Sequence, residues 1–254
     1  MGGTVAHRQY DAPAMERLDK EENRAFYDTQ RENDRLRFEK EPSKAFLSEG
    51  IVPWVISALP PEARILDIAG GSGWYASKIV RAAPVSVVGL DISRSMIEQR
   101  AEDPMLAENV VGDMEALPFE DASFDAALFV GALHHVPDPL AGLREAARIV
   151  KPGGRLLAAE PCSLRVGRAG VAPVAGHAHE FRFSLPFLTG RIREAGFTVD
   201  DVTGKRTLLR LVRPAVRHPS LGAYRRADRL DRALAAIPGY TRLAELALVR
   251  ATRS

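Results

Sequence analysis

A short apolar run that leads directly into closely spaced glycines constrains this chain more than any other feature. Residues 65–68, with the sequence ILDI, are typical of a strand that is covered on both faces. Gly70, Gly71 and Gly73 follow at once, where the backbone must turn sharply and let a ligand approach closely. A helix is predicted to begin near Gly73, so that its free amide groups point back at the loop. The sequence therefore predicts a nucleotide-type site at the carboxyl edge of a parallel strand.

This loop fits two classes of cofactor. Residues 71–76 satisfy the GxGxx[G/A] pattern of dinucleotide-binding proteins, and Asp91 follows about twenty residues later, as the ribose ligand of that pattern does. Asp67, however, lies in the strand end just before the glycines, where a carboxylate repels a pyrophosphate and attracts a cation. The loop alone leaves a dinucleotide and another adenosine cofactor open, and Asp67 favours the second.

At this point the sequence resembles class I S-adenosylmethionine (SAM)-dependent methyltransferases, whose first motif is an acid followed by alternating glycines. SAM carries a sulfonium cation and an ammonium group and has no phosphate. The resemblance implies that this motif lines the cofactor through Asp67, Ala69, Gly70, Gly71 and Gly73. The chain departs from the family at Ala69, which stands in place of the first glycine; alanine tolerates ordinary backbone angles but adds a methyl group at a point that the cofactor approaches.

Further motifs of the same family follow in order, so that the resemblance covers roughly residues 63 to 161. It assigns cofactor contacts to residues at the ends of three more predicted strands: Asp91 and Ile92, Asp113 and Met114, and Gly131. Asp91 is expected to accept hydrogen bonds from both ribose hydroxyls. Asp113 and the amide of Met114 are expected to contact the adenine, and Gly131 is small enough to let the cofactor lie against the strand end.

The run RIVKPGG at residues 148–154 is typical of the small-molecule branch of the family (methyltransferase type 11), which includes enzymes of ubiquinone and menaquinone biosynthesis and of antibiotic tailoring. The resemblance implies an α/β, Rossmann-like, doubly wound fold with a seven-stranded, mostly parallel sheet of order 3-2-1-4-5-7-6. We expect a disordered tail at 1–12 followed by a single domain at 13–254. Within that domain we expect a helical cap at 13–50, a lid at 162–183 and an inserted helix at 220–240.

Histidines are the candidates for chemistry on the acceptor. His134 and His135 follow a central apolar strand at the ligand edge, where an imidazole can take a proton at neutral pH; the alternative is a structural role. Tyr27 in the cap, and His177 and His179 in the lid, are further candidates for the substrate side. Two histidines on a loop are poor evidence for a metal, and none is expected.

Composition narrows the partners and the compartment. The formal charge of +2 gives no reason to expect nucleic acid or an anionic membrane as partner, and the Arg-rich region after Lys205 lacks an accompanying aromatic platform. The single cysteine, Cys162, excludes an intramolecular disulfide and a zinc–cysteine cluster. With no apolar run long enough to span a bilayer and no secretory signal, a cytoplasmic location is expected.

These observations favour a SAM-dependent methyltransferase that transfers a methyl group to an oxygen, nitrogen or carbon atom of a small molecule, with S-adenosyl-L-homocysteine as the other product. Two alternatives remain open. One is a SAM-binding protein of the same fold with a regulatory role or a different reaction. The other is an NAD(P)-dependent oxidoreductase, against which Asp67 and Asp113 argue. The sequence identifies neither the acceptor nor the oligomeric state.

Overall fold

The structure, a computed structural model, describes residues 21, 24, 25, 28, 41–164, 166, 170–174, 177–205, 220–237 and 239–254. Tyr27 and the predicted tail at 1–12 lie outside these residues. The described strands are β1 (Arg64–Ile68), β2 (Ser86–Asp91), β3 (Asn109–Val111), β4 (Phe124–Val130), β5 (Val150–Pro161), β6 (Val171–Val174), β7 (His177–Phe183), β8 (Phe197–Lys205) and β9 (Leu246–Arg253). The described α-helices are α1 (Pro42–Ile56), α2 (Trp74–Ala82), α3 (Arg94–Ala101), α4 (Leu140–Ile149), α5 (Leu185–Glu194) and α6 (Leu221–Leu234), and 3-10 turns lie at Leu133–His135 and Tyr240–Leu243.

Seven strands form one twisted sheet in the order β3-β2-β1-β4-β5-β9-β8. The first five strands of that order pair in parallel, and β9 runs antiparallel to both β5 and β8. When only the strands of this sheet are counted, the order is 3-2-1-4-5-7-6, which confirms the expected doubly wound fold. The carboxyl ends of β1 to β4 therefore share one edge, where such folds bind their ligands.

Apolar clusters cover both faces of the sheet. Side chains of β1 alternate between them, with Ile65 on the face of α1 and α2, and Leu66 and Ile68 on the face of α4 and α5. Each fully buried leucine or isoleucine contributes about 1.5–3 kcal/mol relative to an exposed one. The strand β1, which leads into the glycine loop, is therefore held by apolar packing on both faces of the sheet.

The helix before β1 extends across the predicted end of the cap. Residues 42–56 form one continuous helix, so a boundary at residue 50 falls inside α1. Pro42 lies in its first turn, where a missing amide is harmless. Pro53 lies in its last turn and removes one hydrogen bond without ending the helix. The division into tail, cap and one domain remains a prediction.

The predicted irregular lid at 162–183 contains a hairpin. β6 and β7 pair antiparallel and form a separate two-stranded sheet, with Val171 opposite Phe183. Phe183 is fully buried, and its ring lies 5.4 Å from that of Phe187 in α5. The alternation of polar and apolar residues over 180–183 is the strand signal that the sequence analysis missed.

The helix α6 lies in the chain between β8 and β9. Ser220 begins it, since the Ser220 hydroxyl accepts a hydrogen bond from the amide of Ala223. Tyr224 of α6 stacks on Phe46 of α1, with ring centroids 5.3 Å apart. The insertion between β8 and β9 is therefore packed on the same face of the sheet as α1.

Candidate cofactor and acceptor site

The glycine loop after β1 has the backbone conformation that its sequence predicts. Gly71 and Gly73 have φ angles of +54° and +76°, in the left-handed region that favours glycine. A Cβ atom on Gly71 would have no atom within 4 Å, so this residue faces open space. A Cβ atom on Gly70 would lie 2.2 Å from an Asp67 carboxylate oxygen, so the loop is packed tightly from below. The loop is thus fixed underneath and accessible above, as a cofactor cradle requires.

Ala69 has a backbone conformation that is unusual for alanine. Its φ is +51°, which places an alanine in the left-handed region. A residue with a Cβ atom is disfavoured there by roughly 1–2 kcal/mol. The loop keeps the turn that the family builds with a glycine, at some cost in stability.

Asp67 is paired beneath the loop and does not present an unpaired charge. Arg100 of α3 donates from Nη1 to the Asp67 Oδ2 atom at 2.7 Å, and both side chains are buried. Gly89 in β2 makes room for the arginine, since a Cβ atom there would lie 2.0 Å from Arg100 Nε. Arg100 Nε and Nη2 have no hydrogen-bond partner within the part of the chain described. Arg100 was not predicted from the sequence, and the cofactor contact of Asp67 remains a prediction.

Asp91, at the end of β2, is tied to the loop. Its Oδ2 accepts from the amide of Gly71 at 2.8 Å, and its Oδ1 accepts from the amide of Ser93 at 2.9 Å. Burial raises the pKa of the Asp91 carboxyl above its ordinary value. Each carboxylate oxygen can accept a second hydrogen bond, which leaves room for two hydroxyl donors. Ile92, beside it, is half-buried.

The N-terminal segment reaches the same edge through Asp28. Its Oδ1 accepts from the Ser93 hydroxyl at 2.7 Å and from the amide of Ser95 at 3.2 Å. The hydrogen bond from Ser93 lowers the pKa of the Asp28 carboxyl. Asp28 is therefore held at the start of α3 by Ser93, which lies two residues after Asp91 in the chain.

Asp113 and Met114 follow β3 at this edge. The amide of Gly112 donates to the backbone oxygen of Asp91 at 2.9 Å, which places the turn beside β2. The Asp113 carboxylate accepts from the amide of Glu115 at 2.9 Å. Met114 packs towards α4, where a Cβ atom on Gly142 would lie 3.5 Å from its side chain. Both residues are half-buried.

A buried carboxylate holds the turn after β4. Glu160, near the end of β5, is fully buried; its Oε1 accepts from the amides of Ala132 and Leu133 at 2.8 and 2.9 Å. Its Oε2 lies 2.9 Å from His134 Nδ1. Gly131, with φ of +65°, provides the turn between β4 and these amides. Glu160 was not predicted as a site residue, although an acid at the end of an otherwise apolar run is a usable signal.

This contact orients the first histidine of the pair. An ionised carboxylate has no proton to donate, so the Glu160 carboxylate can only accept a hydrogen bond from Nδ1–H. It therefore favours the tautomer in which His134 Nδ1 carries the proton and Nε2 is unprotonated. The His134 side chain is 13% exposed. The His135 ring lies against it, with centroids 4.2 Å apart. The arrangement can accept a proton at Nε2 from a bound molecule.

For the two histidines of the predicted lid, the structure gives the position of the strand that carries them. His177 and His179 lie in β7, and that strand lies against the 3-10 turn Leu133–His135. In the described part of the chain, no three His, Cys, Asp or Glu side chains come together as a metal site would require. No described helix combines the length and the apolar character needed to cross a bilayer.

Part of the chain is similar to known proteins, and that part contains most of the residues described above. Residues 66–158 match the family model described as "Methyltransferase domain". The chain is 36% identical over 155 residues to 27-O-demethylrifamycin SV methyltransferase of Amycolatopsis mediterranei, which covers 55% of this chain and 57% of that protein. It is 40% identical over 120 residues to a ubiquinone/menaquinone biosynthesis C-methyltransferase of Brucella anthropi, covering 44% of this chain and 46% of that protein. The chain thus spans about half the length of these curated relatives.

A solved structure shows the same fold. The [4+2]-cyclase SpnF superposes with a TM-score of 0.59 at 23% identity, covering 80% of each chain. The matched family region contains the glycine loop, Asp91, Asp113 and His134, and ends two residues before Glu160. These matches show that residues 66–158 resemble a methyltransferase domain, and the sheet has the order expected from that resemblance.

Proposed function

We propose that this chain transfers the methyl group of SAM to a hydroxyl group of a small molecule, with His134 as the base. The observation that carries the proposal is the buried Glu160, whose contact with His134 Nδ1 at the ligand edge of β4 favours the tautomer in which Nε2 is unprotonated. A hydroxyl is the acceptor that gains most from such a base, because its oxygen becomes a strong nucleophile only as the proton leaves. A small-molecule acceptor and a cytoplasmic location belong to the same proposal.

The residues of the glycine loop and the strand ends fit SAM. Gly71 faces open space where the cofactor would lie, and Asp91 keeps acceptor capacity for two ribose hydroxyls. Asp113 and the amide of Met114 follow at the adenine end. When bound, SAM supplies an activated methyl group on its sulfonium and becomes S-adenosyl-L-homocysteine.

The protein's own contribution to the reaction is alignment and proton removal. His134 Nε2 takes the acceptor proton, and the resulting imidazolium is stabilised by the Glu160 carboxylate 2.9 Å from Nδ1. The amides of Ala132 and Leu133 fix that carboxylate, so it cannot turn away from the ring. Holding the acceptor in line with the methyl group supplies the larger part of the acceleration.

The test uses the full chain and SAM labelled in its methyl group. Calorimetry measures SAM binding, and the labelled cofactor is incubated with a panel of hydroxylated aromatic and aliphatic compounds whose products are read by mass spectrometry. The expected result is SAM binding and label on an oxygen atom, lost in His134→Gln. Nicotinamide dinucleotide binding in place of SAM would indicate an oxidoreductase. SAM binding without label in any product of a broad panel would favour a non-transferring SAM protein.

A further inference from the structure

A groove between α1 and α6 lies apart from the cofactor loop. It encloses about 400 Å³, which is within the usual size range of small-molecule sites. One wall is apolar and is formed by Leu47 and Ile51 of α1 with Leu246 and Leu248 of β9. The opposite wall is formed by charged side chains of α6 and by Lys205. A groove of this kind accommodates a molecule that is apolar along one side and charged at one end.

The groove lies on the same sheet face and at the same height as the end of β4. Leu248 is in register with Ala159 of β5, and Ala159 is in register with Val130, the last residue of β4. Two strand spacings of about 4.8 Å separate Leu248 from Val130. The groove is therefore about 10 Å along the sheet from the start of the turn that carries His134.

Positive charge exceeds negative charge in this groove. Four cationic side chains line it with two carboxylates, namely Lys205, Arg225, Arg229 and Arg232 with Glu49 and Asp228. Of these six groups, only Arg225 and Glu49 form an ion pair that involves no third group. The excess of positive charge favours an anionic ligand.

The existing ion pairs leave one arginine available. Arg225 binds Glu49 through two hydrogen bonds of 2.9 and 2.5 Å, which lower the pKa of the Glu49 carboxyl. Lys205 and Arg232 share Asp228, at 2.8 and 3.3 Å.

Arg229, in contrast, is exposed and forms no ion pair with the described residues. We infer that the groove binds the acidic end of the acceptor, an elongated apolar molecule with a carboxylate that Arg229 receives. This inference rests on the proposed methyl transfer, because the groove is assigned to the substrate of that reaction. The apolar body lies along Leu246 and Leu248 towards β4, and the reacting hydroxyl lies beyond it near His134. The position of the inserted helix, between the last two strands of the sheet, is thereby explained as a recognition element.

The experiment uses decanoate as the probe on the full chain, with calorimetry at low salt. Decyltrimethylammonium, which has the same apolar chain and the opposite charge, is the matched ligand. Decanoate is expected to bind at least tenfold more tightly than the cation, and Arg229→Gln to weaken it at least fivefold. Arg226→Gln changes an exposed arginine of the same helix outside the groove lining and is expected to alter the affinity less than twofold.

Three results would overturn the inference: no decanoate binding, equal binding of the two ions, or equal loss in the two variants. SAM affinity measured on the same preparations separates this failure from that of the proposed function. If SAM binds and decanoate does not, only the groove assignment is wrong. If decanoate binds as expected and SAM does not, methyl transfer is wrong and so is the assignment of the groove to its acceptor.

Discussion

Two of the buried carboxylates at the ligand edge of the sheet, Asp67 and Glu160, have partners that differ in kind. Asp67, under the glycine loop, is paired with the guanidinium of Arg100, and both groups are buried. Glu160, under the turn after β4, is bonded to two backbone amides and to the imidazole of His134. The first arrangement is an ion pair between an aspartate and an arginine, whereas the second joins a carboxylate to an imidazole, the side chain that most often serves as a general base.

The difference in partners indicates that the Asp67–Arg100 pair supports the structure of the loop, whereas the Glu160–His134 pair can take part in proton transfer. A guanidinium stays protonated in proteins, so the pair under the loop cannot take part in proton transfer. Its effect is to hold the Asp67 carboxylate under Gly70, where a Cβ atom would collide with it. At the β4 turn, a buried acid of the same kind contacts Nδ1 of an imidazole and favours the tautomer in which the second nitrogen, Nε2, is unprotonated. We therefore expect variants of the first pair to change folding and the loop, and variants of the second to change turnover.

The largest effect is expected from Arg100→Met. The substitution leaves the Asp67 carboxylate buried without its countercharge, and breaking such a pair costs about 3–5 kcal/mol of unfolding free energy. Urea denaturation measures the loss, and Arg94→Met, at an exposed position of the same helix, is the control with an effect below about 0.5 kcal/mol.

The double variant Asp67→Asn with Arg100→Met sharpens the result. Removing both charges is expected to restore most of the stability, because no unpaired charge then remains buried. A double variant as unstable as the sum of both single variants would show that the two groups act independently and that the ion pair has been misread.

The second prediction concerns the other carboxylate. His134→Gln and Glu160→Gln are each expected to lower the single-turnover methylation rate by about a hundredfold or more, because the base is lost or held in the wrong tautomer. SAM affinity should stay within about threefold, since neither side chain belongs to the cofactor loop. His135→Gln is the matched control and is expected to lose less than about tenfold. If His135→Gln has the larger loss, the roles of the two histidines are reversed.

The third prediction tests the open side of the loop. Gly71→Val places a side chain in space that SAM needs, and it is expected to weaken SAM affinity by at least about thirtyfold. Gly153→Val is the matched control: Gly153 also has a positive φ, of +76°, and open space around its Cβ position, but lies at the opposite edge of the sheet. Both variants should lose similar stability. Equal SAM affinity in the two would show that Gly71 does not face the cofactor.

The contrast between the two carboxylates also shows what the sequence could predict. Motif residues that follow strands, such as Asp91 and Gly131, could be placed because parallel strands bring their carboxyl ends to one edge. Arg100 could not be placed, since an arginine in a short helix gives no sign that it passes over Gly89 to reach Asp67. Its burial depends on a contact between residues far apart in the chain.

Elements outside the family motifs were predicted less well. The hairpin of β6 and β7 has a strand signal of only a few residues, and its pairing depends on Phe183 being buried against α5. The helix α1 runs without a break across the predicted cap boundary at residue 50, and its apolar side packs against the sheet. In both cases tertiary packing decides a local structure that the sequence pattern leaves open.

The smallest effect, and the most direct test of the loop backbone, is expected from Ala69→Gly. Ala69 has a φ of +51°, and removing its Cβ relieves more strain than the added chain entropy costs. We expect the unfolding free energy to rise by about 1 kcal/mol. Ala122→Gly is the matched control, because Ala122 has the same φ of +51° but lies in the turn before β4, away from the ligand edge. Both variants should gain stability, while only Ala69→Gly should also strengthen SAM binding, by about twofold to threefold, since the family's usual glycine gives the cofactor more room. A gain in SAM affinity for both, or for neither, would mean that the residue before Gly70 does not contact the cofactor.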